Sequence, residues 1–341
     1  MIYKNTYLHN VSEISSLEDG GIRIFRFPEK ARNSFDDGEH PYAVEVGQMT
    51  TGCEIRFVGE GADITISALD ADGTVEIFRG DFLFRTERLP KNVKITLSLR
   101  SDPNFDSYSL PTLNERFDVS VWRVVFDHDH RVGIHSIEPF GEIRPPKVSE
   151  MPKKKILAYG SSITHSAGAG FYTNSYIYNV GRILGTDILC KGMGGSCFIQ
   201  NEVADYIASE DWDAAIFELG VNMVDGFPVE VFTERASYLI ENALKLDKPI
   251  ILISNFTSYF DLPENSYKDI NEAYVKALEN IYERFKGESY DNLYYIRGRD
   301  IVTDFNYLLT DLIHPSPYGH AEMGRKIASK ILHEFDLFNN F

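Results

Sequence analysis

Residues with nucleophilic, basic and hydrogen-bonding side chains follow apolar runs in the second half of this 341-residue chain. Three segments come directly after such runs and contain Ser161-Ser162, Gly194-Gly195 and Asn222. A fourth segment holds Asp311 and His314, ahead of the last helical pattern. A serine, a histidine base, a carboxylate that orients the base and N–H donors for an oxyanion are the parts of an acyl-transfer site. The residue types therefore predict catalysis at a serine, and spacing alone leaves Ser161 and Ser162 both open.

Nearly continuous apolar runs alternate with helical patterns after residue 150. The runs cover residues 155–159, 187–190, 214–219, 250–254 and 293–296. Such runs are typical of strands covered on both faces, and their alternation with helices predicts an open, doubly wound parallel sheet. The clearest helix has one apolar face, formed by Ile270, Tyr274, Leu278, Ile281 and Phe285. Because ligands of such sheets bind at the carboxyl ends of the strands, the polar segments are expected in one cleft.

The first 143 residues show an apolar pattern with period two, as in Ile95, Leu97 and Leu99. This alternation, with glycine-containing turn signals between the runs, predicts an antiparallel, jelly-roll-like β-sandwich. Around Trp122 the alternation slips by one residue, which predicts a β-bulge. Prolines in residues 144–152 predict a linker. The predicted domains are therefore a sandwich over residues 1–143 and an α/β domain over residues 153–341.

The charge balance narrows the classes of partner. The chain has 34 Lys and Arg against 51 Asp and Glu, a formal net charge of −17. Nucleic acids and anionic membrane surfaces attract clustered basic residues, so neither is expected as a partner. A small-molecule ester fits the charge, and the oligomeric state stays open. The opening residues MIYKNTYLHN lack the apolar segment of a signal peptide, which predicts a cytoplasmic protein, or a secreted one if a leader has been removed.

The cysteines and the clustered histidines favour structural roles. The chain has three cysteines and no CxxC pair, so a disulfide framework or a zinc ribbon is not expected. His128, His130 and His135 lie near Asp127 and Asp129. Although a His-x-His pair on a strand shares one face, a polar turn is the favoured interpretation. The sequence therefore predicts no metal and no cofactor.

The four polar segments together resemble the sequence blocks of the SGNH, or GDSL-type, esterase and lipase superfamily. Gly160-Ser161-Ser162-Ile163-Thr164 resembles the first block, Gly195 the second-block glycine, Asn222 the third-block asparagine, and Asp311 with His314 the Asp-x-x-His of the fifth. The resemblance covers residues 153–341 and implies a flavodoxin-like hydrolase domain. A β-sandwich in front of this domain is similar to the layout of family 2 carbohydrate esterases, which remove acetyl groups from plant polysaccharides.

The resemblance implies a role for each residue. Ser162 is the nucleophile, His314 the base and Asp311 the carboxylate that orients it. The N–H groups of Ser162 and Gly195 and the side-chain amide of Asn222 form the oxyanion hole. Taken singly, these residues have other interpretations, such as helix caps, a surface histidine or turn residues. Their joint occurrence in the right order favours catalysis.

Two positions depart from the family pattern, because Ser161 and Met223 stand where Asp is usual. Neither is an assigned catalytic residue, so their effect on rate and substrate is open. The predicted function is a serine esterase that removes a short acyl group, an acetyl group, from a carbohydrate. The alternatives are a lipid or thioester acylhydrolase and, in another class, a non-catalytic carbohydrate-binding protein. The negative charge would repel anionic lipids and acyl-CoA, which weighs against the first alternative.

Overall fold

The computed structural model describes residues 1–106 and 116–338, and the chain divides into two compact units. The first unit comprises Met1–Pro28, Gln48–Lys153 and Gly185–Asp187, and the second comprises Glu29–Gly47, Lys154–Leu184 and Ile188–Phe341. The segment Glu29–Gly47 therefore belongs to the second unit by its contacts, although the sequence analysis placed it within the first domain.

Two antiparallel sheets make up the first unit. Its strands are β1 (Ile2–Tyr3), β2 (Thr6–His9), β3 (Glu13–Ser16), β4 (Ile22–Phe25), β5 (Glu54–Gly59), β6 (Gly61–Ala68), β7 (Gly73–Arg79), β8 (Phe82–Leu89), β9 (Ile95–Arg100), β10 (Val121–Phe126), β11 (Val132–Pro139) and β12 (Ile143–Arg144). One sheet has the order β1-β2-β5-β10-β7-β8, with β12 also paired to β5, and the other has the order β3-β4-β11-β6-β9. Side chains of both sheets share one apolar core, which includes Phe57, Trp122, Ile64, Leu97 and Ile134.

The bulge predicted near Trp122 is wrong. β10 pairs with β5 and with β7 without a shift of register, and all of its residues are buried. The strand begins at Val121, so Phe117 and Val119 lie before it and the change of alternation marks the strand's start. Burial on both faces removes the alternation that an exposed face would impose.

The second unit is built on a five-stranded sheet. Its strands are β13 (Lys155–Gly160), β14 (Asp187–Gly192), β15 (Ala214–Glu218), β16 (Ile250–Ile253) and β17 (Leu293–Ile296), in the order β14-β13-β15-β16-β17. The pairs β13–β15, β15–β16 and β16–β17 are parallel. In this order the switch point lies between β13 and β15, where ligands of doubly wound sheets bind.

Helices surround this sheet. They are α1 (Glu29–Asn33), α2 (Pro41–Gly47), α4 (Tyr176–Leu184), α5 (Asn201–Ser209), α6 (Val229–Leu244), α7 (Lys268–Gly287), α8 (Gly298–Ile301) and α9 (Pro317–His333), while α3 (Pro103–Asp106) belongs to the first unit. The predicted helix corresponds to α7, but Ile270 is 41% exposed and Asn271 is buried in its place. None of the helices among the described residues combines the length and the apolar composition that a membrane span requires. The antiparallel sandwich and the doubly wound sheet confirm the predicted fold class.

Candidate active site

The predicted catalytic segments lie at the carboxyl edge of the parallel sheet. Ser162 follows β13, Gly195 follows β14, and Asn222 lies in a single 3₁₀ turn after β15. Asp311 and His314 lie in the loop before α9. Because parallel strands end at the same edge, the fold brings the first three segments together. The fourth segment joins them through His314, whose Nε2 lies 2.9 Å from Ser162 Oγ.

The two adjacent serines of the first segment have different surroundings. The Ser161 side chain is buried, and its hydroxyl donates a hydrogen bond to Glu218 Oε2 at 2.7 Å. The Ser162 side chain is partly exposed, and its Oγ lies 2.9 Å from His314 Nε2. A nucleophile needs a base within hydrogen-bond reach, so the geometry favours Ser162 over Ser161 as the candidate nucleophile. The Ser161 hydroxyl is instead bound to a buried carboxylate.

The aspartate and the histidine are joined within one short loop. Asp311 Oδ2 lies 2.8 Å from His314 Nδ1, while Asp311 Oδ1 accepts hydrogen bonds from the N–H groups of Ile313 and His314, each at 3.0 Å. Partial burial raises the pKa of Asp311, but these hydrogen bonds outweigh it and hold the pKa below its ordinary value. An ionised Asp311 favours the imidazole tautomer with its proton on Nδ1, which leaves Nε2 free to accept a proton from Ser162.

Three N–H-bearing groups in these loops have no acceptor among the residues that the structure describes. Within residues 1–106 and 116–338, the backbone N–H groups of Ser162 and Gly195 and the side-chain NH₂ of Asn222 donate no hydrogen bond. Asn222 Oδ1 accepts a hydrogen bond from Cys197 N at 3.2 Å, which fixes the orientation of the amide. Gly195 has φ +65°, a left-handed conformation that side chains disfavour. Donors left available at the edge of the sheet where Ser162 lies are a feature that an oxyanion hole requires.

Beneath the serine turn lies a buried carboxylate that the sequence analysis did not single out. Glu218, at the end of β15, is fully buried, and its Oε2 accepts hydrogen bonds from Ser161 N at 2.8 Å, Ser161 Oγ at 2.7 Å and Thr164 Oγ1 at 3.1 Å. Tyr176 OH lies 2.7 Å from Thr164 Oγ1 and extends the network. Burial raises the pKa of Glu218 to about 7, against the hydrogen bonds, which lower it.

The contacts of Glu218 explain the glycine that precedes the serines. A Cβ at Gly160 would lie 2.5 Å from Thr164 Oγ1 and 2.7 Å from Glu218 Oε2, which leaves no room for a side chain. The sequence did contain a signal for Glu218, because it is the charged residue in the otherwise apolar run 214–219. Charged residues are rarely buried without a specific partner.

Histidines outside the Asp311 and His314 pair have hydrogen-bond partners within the protein. His320 Nδ1 accepts a hydrogen bond from Tyr176 N at 3.1 Å, and its Nε2 donates to Ala167 O at 2.9 Å. In the first unit, His128 pairs with Asp127 and His135 pairs with Ser67. Across residues 1–106 and 116–338, no group of three or more His, Cys, Asp or Glu side chains has the arrangement of a metal site.

A segment from the first part of the chain also belongs to the unit that holds the site. Ala31, Phe35, Ala43 and Val46 of Glu29–Gly47 are buried. A Cβ placed on Gly195 would lie 3.4 Å from Cε1 of the Tyr42 ring. The sequence analysis missed this neighbourhood, because the segment lies within a strand-rich part of the sequence.

A family model matches the part of the chain that contains the parallel sheet and the candidate site, and solved structures match most of the chain. Residues 153–332 match the model of the GDSL-like Lipase/Acylhydrolase family. No curated protein sequence matches the chain. Among solved structures, the chain is similar to the salicylyl-acyltransferase SsfX3 from a tetracycline biosynthetic pathway, with 15% identity and a TM-score of 0.79 over 96% of this chain and 93% of that one.

Two structures of carbohydrate-acting proteins are also similar. A family two carbohydrate esterase from Clostridium thermocellum, in complex with cellohexaose, is 14% identical with a TM-score of 0.62, over 84% of this chain and 94% of that one. The acetyl xylan esterase Est2A from the rumen bacterium Butyrivibrio proteoclasticus is 14% identical with a TM-score of 0.54, over 84% and 90%. At these identities the likeness shows the shared fold alone.

The family match extends over more than half of the chain and includes every segment of the candidate site. The chain therefore belongs to the GDSL-like lipase/acylhydrolase family, as the resemblance of its sequence blocks predicted. Its general activity is that of an esterase or acylhydrolase.

Proposed function

We propose that the chain is a serine esterase that removes a short acyl group, an acetyl group, from a carbohydrate. The observation that carries the proposal is a chain of two hydrogen bonds. Ser162 Oγ lies 2.9 Å from His314 Nε2, and His314 Nδ1 lies 2.8 Å from Asp311 Oδ2. The N–H groups of Ser162 and Gly195 and the Asn222 amide donate no hydrogen bond within the described part of the chain, which supports the proposal that they hold the oxyanion.

The reaction begins when Ser162 Oγ attacks the ester carbonyl carbon and His314 Nε2 takes the hydroxyl proton. The carbonyl oxygen becomes an oxyanion held by the N–H groups of Ser162 and Gly195 and by the Asn222 amide. His314 then gives its proton to the leaving alcohol oxygen, and an acyl-serine remains. A water molecule, deprotonated by the same imidazole, attacks this ester, and Ser162 regains its proton as the carboxylic acid leaves.

The carbohydrate part of the proposal rests on two kinds of support. A net charge of −17 suits a neutral acetylated sugar better than acyl-CoA or an anionic phospholipid, which this charge repels at long range. In addition, a family two carbohydrate esterase and an acetyl xylan esterase share the fold over most of their own length. Fold likeness is an argument by analogy, so the substrate class needs its own experiment.

The test measures hydrolysis of p-nitrophenyl esters of increasing chain length, and release of acetate from acetylated sugars. We expect the highest kcat/KM for the acetyl ester and measurable release from the sugars. A preference for long acyl chains would replace the proposal with the lipid acylhydrolase alternative.

A pair of matched variants separates catalysis from simple binding. Ser162→Ala should abolish turnover of every ester, whereas Ser161→Ala removes the neighbouring hydroxyl and should retain measurable turnover. If Ser162→Ala and the wild type hydrolyse p-nitrophenyl acetate equally slowly while both bind sugar, the protein is a carbohydrate-binding protein and the enzymatic proposal fails.

A further inference from the structure

Asp37 and His40 repeat the geometry of the Asp311 and His314 pair. Asp37 Oδ2 lies 2.8 Å from His40 Nδ1, and Asp37 Oδ1 accepts hydrogen bonds from Glu39 N at 3.0 Å and His40 N at 2.7 Å. The spacing Asp-x-x-His and the pattern of accepted hydrogen bonds are those of the loop before α9. Both pairs thus hold an imidazole by Nδ1 and direct Nε2 away from the carboxylate.

The His40 ring packs against the loops that carry the oxyanion donors. Its centroid lies 4.7 Å from that of Phe198 and 5.4 Å from that of Phe227. Phe198 follows Cys197, whose N–H fixes the Asn222 amide, and Phe227 lies just beyond the turn that contains Asn222. These contacts place His40 against the two loops that carry Gly195 and Asn222.

Tyr42 brings the same segment to the second oxyanion donor. Its ring is the nearest group to a Cβ placed on Gly195, at 3.4 Å, and 53% of its surface is exposed. The segment packs into the second unit through the buried Phe35 and Val46, and Lys30 lies 3.6 Å from Asp205 at the surface. His40 and Tyr42 thus sit on an anchored segment at the edge of the candidate site.

The His40 imidazole keeps one nitrogen available. Within the described ranges 1–106 and 116–338, His40 Nε2 has no hydrogen-bond partner, and 32% of the side chain is exposed. Burial raises the pKa of Asp37, but the hydrogen bonds from His40 and Glu39 outweigh it and lower the pKa to about 2. Asp37 therefore stays ionised at neutral pH and keeps the His40 ring in its orientation.

We propose that His40, positioned by Asp37, is a substrate-contacting residue that hydrogen-bonds a hydroxyl group of the alcohol half of the substrate. The inference rests on the proposed function. In the proposed reaction the oxyanion hole binds the ester carbonyl oxygen, which is the one hydrogen-bonding atom of an acetyl group. An available imidazole that packs against the loops of Gly195 and Asn222 therefore addresses the alcohol half. A carbohydrate supplies hydroxyl groups for Nε2, and the exposed Tyr42 ring offers a flat face to the sugar.

The test compares two substrates that differ in the alcohol half, namely p-nitrophenyl acetate, which has no hydroxyl group, and a mono-O-acetylated methyl glycoside. His40→Phe keeps a ring against Phe198 and Phe227 but removes both nitrogens. We expect it to lower the ratio of kcat/KM for the glycoside to kcat/KM for p-nitrophenyl acetate by roughly five- to tenfold, the cost of one lost hydrogen bond, mainly through KM. His40→Gln, which retains hydrogen-bonding groups, should recover part of the ratio, and Asp37→Asn should lower it in the same direction.

His333→Phe is the matched control, because His333 is an exposed histidine in the last turn of α9 and should leave the ratio unchanged. Equal losses on both substrates, which leave the ratio unchanged, would show that His40 only supports the fold. No loss on either substrate would show that His40 does not contact the alcohol. Either result overturns the inference. If the wild type cleaves p-nitrophenyl acetate but not the glycoside, the proposed carbohydrate substrate fails and the inference fails with it. Glycoside cleavage by the wild type with an unaltered ratio in His40→Phe refutes the inference alone.

Discussion

Glu218 makes the stability of the second unit depend on pH in a direction that can be derived from its surroundings. It is fully buried beneath the serine turn, and burial raises its pKa from 4.5 to about 7. In the unfolded chain the carboxyl group is solvated and has its ordinary pKa. Between the two pKa values the unfolded chain releases the proton while the folded protein keeps it, so stability falls as pH rises. The contribution is fully present below pH 4.5 and is lost as pH passes about 7.

The difference between the Glu218 pKa of 4.5 in the unfolded chain and about 7 in the folded protein corresponds to roughly 3 kcal/mol of unfolding free energy. Glu218→Gln resembles the protonated acid, because its amide oxygen can accept the hydrogen bonds from Ser161 and Thr164. The variant should therefore gain stability relative to the wild type as pH rises, by about 3 kcal/mol between pH 4.5 and pH 8. Glu218→Leu, which leaves the donors unpaired, should lose about 1–3 kcal/mol for each buried donor.

The assay is denaturant unfolding at several pH values, with each unit followed separately. The chain has two tryptophans, both buried, with Trp122 in the first unit and Trp212 in the second. Fluorotryptophan labelling therefore gives one fluorine NMR probe for each unit. Glu283→Gln, at an exposed position of α7, is the matched control and should follow the wild type at every pH. If the Trp212 transition of Glu218→Gln also runs parallel to the wild type from pH 4.5 to pH 8, the argument from burial is refuted.

Three further substitutions test other parts of the site. Asn222→Ala should lower kcat for p-nitrophenyl acetate by roughly a hundredfold or more, because one oxyanion donor is lost; an unchanged kcat in steady-state assays would remove Asn222 from the oxyanion hole. Asp311→Asn should lower kcat by roughly 10²–10⁴-fold, since an amide does not hold the Nδ1–H tautomer of His314, and a loss below about threefold would contradict that role. Gly160→Ala should abolish activity in ester assays and lower Tm in thermal melts, because the new Cβ would lie 2.5 and 2.7 Å from oxygen atoms. Gly287→Ala is its control, because no atom lies within 4 Å of the new Cβ, and it should leave activity and Tm unchanged.

The sequence was most informative where one physical constraint acted alone. The apolar runs of the second unit became strands because each is covered on both faces, and the run 293–296 matches Leu293–Ile296 residue for residue. The order of the polar segments predicted which loops meet, since parallel strands end at one edge. Ser161 and Ser162 were indistinguishable by spacing, and the structure separates them by burial and by partner.

Features that depend on packing were not predictable in the same way. The slip of alternation near Trp122 was interpreted as a bulge, because a pattern does not show where a strand begins. In α7, the buried face begins with the polar Asn271, which accepts a hydrogen bond from Asn255 at 2.7 Å. A buried amide of this kind replaces an apolar residue only when a specific partner is available, and partners distant in sequence leave no periodic signal.

The residues near the site that the sequence analysis missed are of two kinds. Glu218 is visible in the sequence as the charged residue of an apolar run. Its role could not be predicted, because it depends on hydrogen bonds to Ser161, which is distant in the sequence. Asp37 and His40 repeat the Asp-x-x-His spacing of the fifth block, but they lie far from the other blocks in the sequence. Their proximity to Phe198 and Phe227 comes from the packing of Glu29–Gly47 within the second unit, which periodicity does not encode.

The central claim is that Ser162 is the nucleophile of an esterase. The most direct measurement is covalent trapping with a fluorophosphonate, followed by peptide mapping by mass spectrometry. The adduct should lie on Ser162 in the wild type and in Ser161→Ala, and it should be absent from Ser162→Ala. An adduct on Ser161, or phosphonylation together with full ester turnover in Ser162→Ala, would contradict the assignment.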